Sequence, residues 1–167
     1  PYNYQANVAV AGASLSITRN GSVSNLTVSG KLSATATSAY YADLAELYAS
    51  DTNYDSGTVV VFGGQAEITQ STTDHDSTVA GVISTDPAYL MNASFPIGSY
   101  LPVALTGRVP CKVLGPITKG DNLVASSKPG YAQRLDRHLY TPGCILGKAL
   151  EDFLDTEGVI EVVAGRL

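Results

Sequence analysis

Asp43 and Glu46 stand three residues apart in the run Ser38-Ala-Tyr-Tyr-Ala-Asp-Leu-Ala-Glu-Leu-Tyr48, and they are the chain's main candidates for chemistry. On a helix this spacing puts both carboxyls on one face. Two carboxyls whose surroundings push their proton affinities apart divide into an acid and a base. The same spacing also describes a solvated polar face opposite an apolar stripe. Spacing alone leaves both readings open.

The remaining reactive residues point away from metabolic chemistry. Asp74-His75-Asp76, in the polar stretch Gln70 to Thr78, lacks a third ligand at useful spacing for a divalent ion and reads as a solvated loop. His138, in Leu135-Asp-Arg-His-Leu139, reads as a surface-loop histidine. Cys111 and Cys144 lie among apolar neighbours, with no metal-ligand spacing to either histidine, and read as small buried hydrophobes rather than a disulfide framework. The chain has no Gly-rich phosphate loop, nucleophile elbow or metal motif, so no cofactor or metal is expected. Ten tyrosines beside three phenylalanines and no tryptophan suit amphipathic contact surfaces, for subunits or for glycans.

The elements that must position these residues are mostly strands. Turn signals recur at Tyr54-Asp-Ser-Gly57, Gly63-Gly64, Asp86-Pro87, Gly115-Pro116, Lys119-Gly-Asp121, Pro129-Gly130 and Thr156-Glu-Gly158. Between them, Thr58 to Phe62, Val79 to Thr85, Leu101 to Leu105, Val109 to Leu114, Asn122 to Ala125, Cys144 to Leu150 and Val159 to Val163 have strand length and composition. Short strands with tight turns and no long helical period predict an all-β fold, a compact antiparallel β-barrel or sandwich. One helix competes, over Ser38 to Ser50. There Tyr41, Leu44, Ala45 and Tyr48 fall at i, i+3, i+4 and i+7, and Ser38 is placed to cap the start.

Upstream the composition thins. From Leu26, the small or apolar residues Leu26, Val28, Gly30, Leu32, Ala34 and Ala36 alternate with Ser, Thr and Lys, which is the period of a strand. Val8 and Val10, then Leu15 and Ile17, repeat the pattern in shorter pieces. Such strands bury side chains too small to offset chain entropy alone, so identical chains must complete one another's core, most simply about a three-fold axis. The competing description is a flexible Ser/Thr/Gly/Ala linker; in-phase Leu and Val favour the stem. The expected organisation is an extended β stem at 1–40 and a β-rich cap domain at 41–167. Leu26, Val28, Leu32, Tyr41, Leu44 and Tyr48 are the expected subunit contacts.

Charge and hydropathy bound the partners. Ten scattered basic residues against fifteen acidic ones give a net charge of −5, which argues against nucleic acid or an anionic membrane as a partner. No apolar run approaches the ~20 residues of a membrane span. The first residue is Pro1 rather than Met, as in a trimmed terminus or a fragment of something longer.

Ala42-Asp-Leu-Ala-Glu46, followed by Tyr54-Asp-Ser-Gly-Thr-Val-Val-Val-Phe62 and by Val79-Ala-Gly-Val-Ile-Ser-Thr85 with Asp86-Pro87, resembles the C-terminal domain of phage tail-fibre and appendage proteins. Gly115-Pro-Ile-Thr-Lys-Gly-Asp-Asn-Leu-Val124, Pro129-Gly-Tyr-Ala132 and Gly147-Lys-Ala-Leu-Glu151 look like the same fibre-tip domain. That family includes self-cleaving intramolecular chaperones, a glutamic-type peptidase family whose domain opens on Ala-Asp-aromatic-Ala-Glu; Leu44 stands here at the aromatic position. The resemblance implies a structural virion protein, a homotrimer assembled in the host cytoplasm beside other virion proteins, whose C-terminal domain registers and caps the stem. It implies as an alternative self-cleavage at Ala42-Asp43 with Glu46 as the catalytic residue. A second alternative is a host-surface or glycan-binding adhesin that meets a receptor through exposed tyrosines and the Asp74 loop.

Overall fold

The computed structural model describes residues 43–96 and 98–165. They belong to the second of the two units into which the chain divides, Thr37–Leu167. The expected stem at 1–40, with Leu26, Val28 and Leu32, lies outside the described residues, as does Tyr41.

Among the described residues ten strands form in chain order: β1 (Asp43–Ala49), β2 (Val59–Phe62), β3 (Ile68–Gln70), β4 (Val79–Ile83), β5 (Tyr89–Met91), β6 (Tyr100–Leu114), β7 (Asn122–Ala125), β8 (Ala132–Arg134), β9 (Ile145–Ala149) and β10 (Glu157–Ala164), with a 3-10 turn at Arg137–Leu139. The fold is all-β. Strands β6, β10, β9, β7 and β8 close on themselves into a barrel, the ring completed by the parallel pair Val113↔Ala132 between β6 and β8. Strands β4, β2 and β3 extend the sheet from β6, and β1 and β5 join it separately. Most pairings are antiparallel, but β1–β5 and β6–β8 run parallel.

The helix expected over Ser38 to Ser50 does not form across its described part, where β1 stands instead. Its residues pair on both edges, antiparallel with β6 from Asp43↔Gly107 to Ala49↔Tyr100 and parallel with β5 from Leu44↔Tyr89 to Glu46↔Met91. A helix satisfies its backbone alone, but here two neighbouring strands supply partners, and Ala45 and Leu47 are buried between them. Over seven residues the apolar pattern serves both periods, so tertiary packing decides against a weak local preference.

Gly107 explains why two expected strands are one. Leu101–Leu105 and Val109–Leu114 belong to the continuous β6, which pairs with β1 before Gly107 and with β10 after it. At φ 110° Gly107 adopts a conformation that other residues avoid, which lets the strand change partner without ending.

Two cores meet across β2, β4 and the first half of β6. Val59, Val82 and Ala104 face the barrel core with Val113, Leu123 and Val162, whereas Val60, Ile83 and Val103 face a second core with Ile68 and Leu101. Strands covered on both faces read as continuous apolar runs, as Val59-Val60-Val61 does. Cys111 and Cys144 are buried and unpaired, and burial pushes the Cys111 thiol up to about 12.

Candidate functional site

The strand geometry of β1 separates the two candidate carboxylates. Successive strand residues alternate faces, so residues three apart point oppositely. Asp43 is turned inward with Ala45 and Leu47, only 5% exposed, while Glu46 lies on the other face with Leu44 and Tyr48, all half-buried. Asp43 Oδ2 is buried and takes no hydrogen bond among the described residues. The two carboxyls of one chain therefore do not form a pair on a common face.

Glu46 is instead the centre of a small surface network. Its Oε2 accepts from the Tyr48 hydroxyl at 2.7 Å, and its Oε1 accepts from Asn92 Nδ2 at 2.8 Å. Asn92 sits just past β5 with φ 58°, a left-handed turn position that Asn tolerates better than most residues. The backbone N–H of Ala49 donates to Glu67 Oε2 at 2.7 Å, and the Tyr48 ring meets Phe62 edge-on at 5.4 Å between centroids. Nothing in the sequence near Glu46 signals Asn92 or Glu67. Their approach is set by β-pairing between distant segments.

Burial, the hydrogen bond to Glu46, and the charges of Glu46 and Glu67 together push the Tyr48 phenol up to about 12. In the unfolded chain that phenol ionises near pH 10. The folded state thus favours the neutral form, and this stabilisation is complete below pH ~10 and is lost as pH rises towards ~12. Tyr48→Phe is expected to flatten the fall of melting temperature across that alkaline window. Melting curves of both proteins from pH 8 to pH 12 check it.

His75 is not solvated, contrary to the sequence expectation. Its ring is buried, its backbone adopts φ 55°, and its Nδ1 lies 2.6 Å from Asp74 Oδ1. The opposite ring nitrogen, Nε2, accepts from the Asp136 N–H at 3.0 Å, and Gln133 donates to Asp74. Since Nε2 accepts, the proton of a neutral ring sits on Nδ1 and points at Asp74. This arrangement ties the loop after β3 to the segment after β8. A polar stretch carries no apolar cue to such burial. His138 is exposed in the 3-10 turn, with its N–H capped by Asp136. Among the described residues no group of three His, Cys, Asp or Glu side chains is placed to hold a metal ion, and no helix is long and apolar enough to cross a membrane.

No protein-family model matches the chain, and no curated protein matches it. Solved structures share the fold, among them two of one phage protein. The crystal structure of the C-terminal fragment of bacteriophage phi29 gene product 12 matches with a TM-score of 0.54 at 14% identity, covering 73% of this chain and 99% of that one. The crystal structure of pre-mature bacteriophage phi29 gene product 12 matches with a TM-score of 0.61 at 14% identity, covering 83% of this chain. The chain spans 24% of that longer protein.

Proposed function

We propose that this chain is a structural component of a phage particle, a fibre or appendage tip whose C-terminal domain at 41–167 trimerises and caps an extended stem at 1–40. The observation that carries the reading is the fold it shares with almost the whole of a phage protein's C-terminal fragment, at 99% coverage. The period-two alternation from Leu26 to Ala36 supports it from the other side, because a stem of small side chains needs identical neighbours to complete its core. A cap that forms early holds three slow-pairing chains in register.

In this reading Leu26, Val28 and Leu32 line the stem axis, and Tyr41, Leu44 and Tyr48 form the contacts at the junction. Leu44 and Tyr48 share the half-buried outer face of β1, and next to β1 the edge strand β5 carries Tyr89, which is 65% exposed. The partners are two further copies of the chain, other virion proteins and a host receptor. The location is the assembled particle after assembly in the host cytoplasm. Immunogold labelling with an antibody against the domain tests the assignment. Label at the tail appendages of the phage that encodes the chain is the expected result, and particles that stay unlabelled would count against it.

Self-cleavage at Ala42-Asp43 is the second reading, favoured by the Asp43 carboxyl held out of water beside that bond with Oδ2 unpartnered among the described residues. Because Glu46 of the same chain faces the other way, a Glu46 acting on this bond belongs to a neighbouring copy. Mass spectrometry of the wild type beside Glu46→Gln decides it. Cleavage of the wild type alone is expected under this reading, and two intact chains remove it.

A further inference from the structure

Three basic residues carried by β8, the 3-10 turn and β9 meet around one cleft. Arg134 ends β8, Arg137 opens the 3-10 turn, and Lys148 lies on β9 opposite Asn122 of β7. Together with Gly120, Asp121, Asn122 and Leu135 they line a cleft of about 350 Å³. This is within the size range of small-ligand sites, which runs from roughly 300 to 1,000 Å³.

Among the described residues the three cations form no ion pair. The ion pairs among the described residues are His75–Asp74, Lys112–Asp55 and Lys128–Glu157, and none involves Arg134, Arg137 or Lys148. Carboxylates near the cleft are held by backbone groups instead. Asp136 Oδ1 accepts from the His138 N–H at 3.0 Å, Asp121 Oδ2 from the Thr118 N–H at 2.8 Å, and Asp152 Oδ1 from the Lys119 N–H at 2.8 Å. In a chain with more acidic than basic residues, three like charges gathered around one concavity repel one another, and a bound anion relieves that repulsion.

We propose that this cleft binds the carboxylate of an acidic sugar. Two guanidinium forks match the planar geometry of a carboxylate, and the Lys148 ammonium adds a compact third charge. Asn122, and the Asp121 oxygen not taken by Thr118, are hydrogen-bonding groups suited to ring hydroxyls. The Asp121 charge on the same wall opposes a compact dianion such as phosphate more than it opposes a singly charged carboxylate whose hydroxyls it accepts from.

Isothermal titration of the full chain with trigalacturonate, sialyllactose, maltotriose and inorganic phosphate tests the assignment. At least one of the two acidic sugars is expected to bind, more weakly as salt rises. Arg134→Gln and Arg137→Gln are each expected to weaken that binding by roughly tenfold, with melting temperature unchanged. Arg108→Gln, exposed on β6 and outside the cleft, is expected to leave it as it is. The proposal is overturned by absence of binding with both acidic sugars, by equal binding of maltotriose or phosphate, or by binding that survives both arginine changes.

Discussion

Gly147→Ala is expected to destabilise the domain severely. Gly147 lies in the middle of β9, opposite Leu123 of β7 on one side and Ala164 of β10 on the other. A methyl group at this position would press into the Val163 carbonyl oxygen, with the Val163 carbonyl carbon at 2.9 Å. The obstacle is backbone, so no side chain can swing aside. Relief requires β10 to move away from β9, which opens the barrel at one of its seams. Overpacking typically costs about 1–3 kcal/mol where neighbours can shift; with both flanking strands fixed by pairing, about 3 kcal/mol or more is expected. Urea unfolding followed by circular dichroism checks this. Lys148→Ala, the next residue and exposed, is the control, with a change within about 0.5 kcal/mol.

Leu123→Ala carries the second large effect. Leu123 is 0% exposed and packs in the barrel core with Val113, Ile117 and Ala132. Truncation removes the transfer free energy of the lost carbons and leaves a cavity in a wall of rigid strands, so a loss of roughly 2–5 kcal/mol is expected. Leu154→Ala makes the contrast, because Leu154 is 85% exposed and gives up little buried area. The midpoint of urea unfolding should fall sharply for Leu123→Ala and hardly move for Leu154→Ala, with the slope unchanged in both. Equal shifts would mean that the core is not where the structure puts it.

How far the sequence disclosed this fold depended on element length and on partner distance. Val59–Phe62, Asn122–Ala125 and the centre of Glu157–Ala164 were legible because short apolar runs stood between strong turn signals. The strands Ile68–Gln70, Tyr89–Met91 and Ala132–Arg134 were not, since three residues are too few to show a period. Thr106-Gly107-Arg108 read as a gap because glycine usually punctuates strands, yet here it lets one long strand change partner. The segment around Asp43 and Glu46 was found by composition and misplaced by period. Seven residues satisfied both a helix and a strand, and the choice was made by strands β5 and β6, which lie some forty residues or more downstream.

The candidate sites follow the same rule. Asp43 and Glu46 were visible as residue types, but their faces depended on the element, and the element depended on pairing. Asn92 reaches Glu46 across 46 residues of sequence. Arg134, Arg137 and Lys148 belonged to a set of cations that looked scattered along the chain. Antiparallel pairing of β7 with β8 and β9 brings Arg134 and Lys148 to the two sides of β7, with Arg137 in the turn between those strands. Local composition names such residues; topology alone assembles them.

Sedimentation velocity of the full chain distinguishes the trimeric cap from a monomer. One dominant species at three times the 17.4 kDa chain mass, persisting on dilution, is expected. A stable, folded species at the mass of a single chain would contradict it.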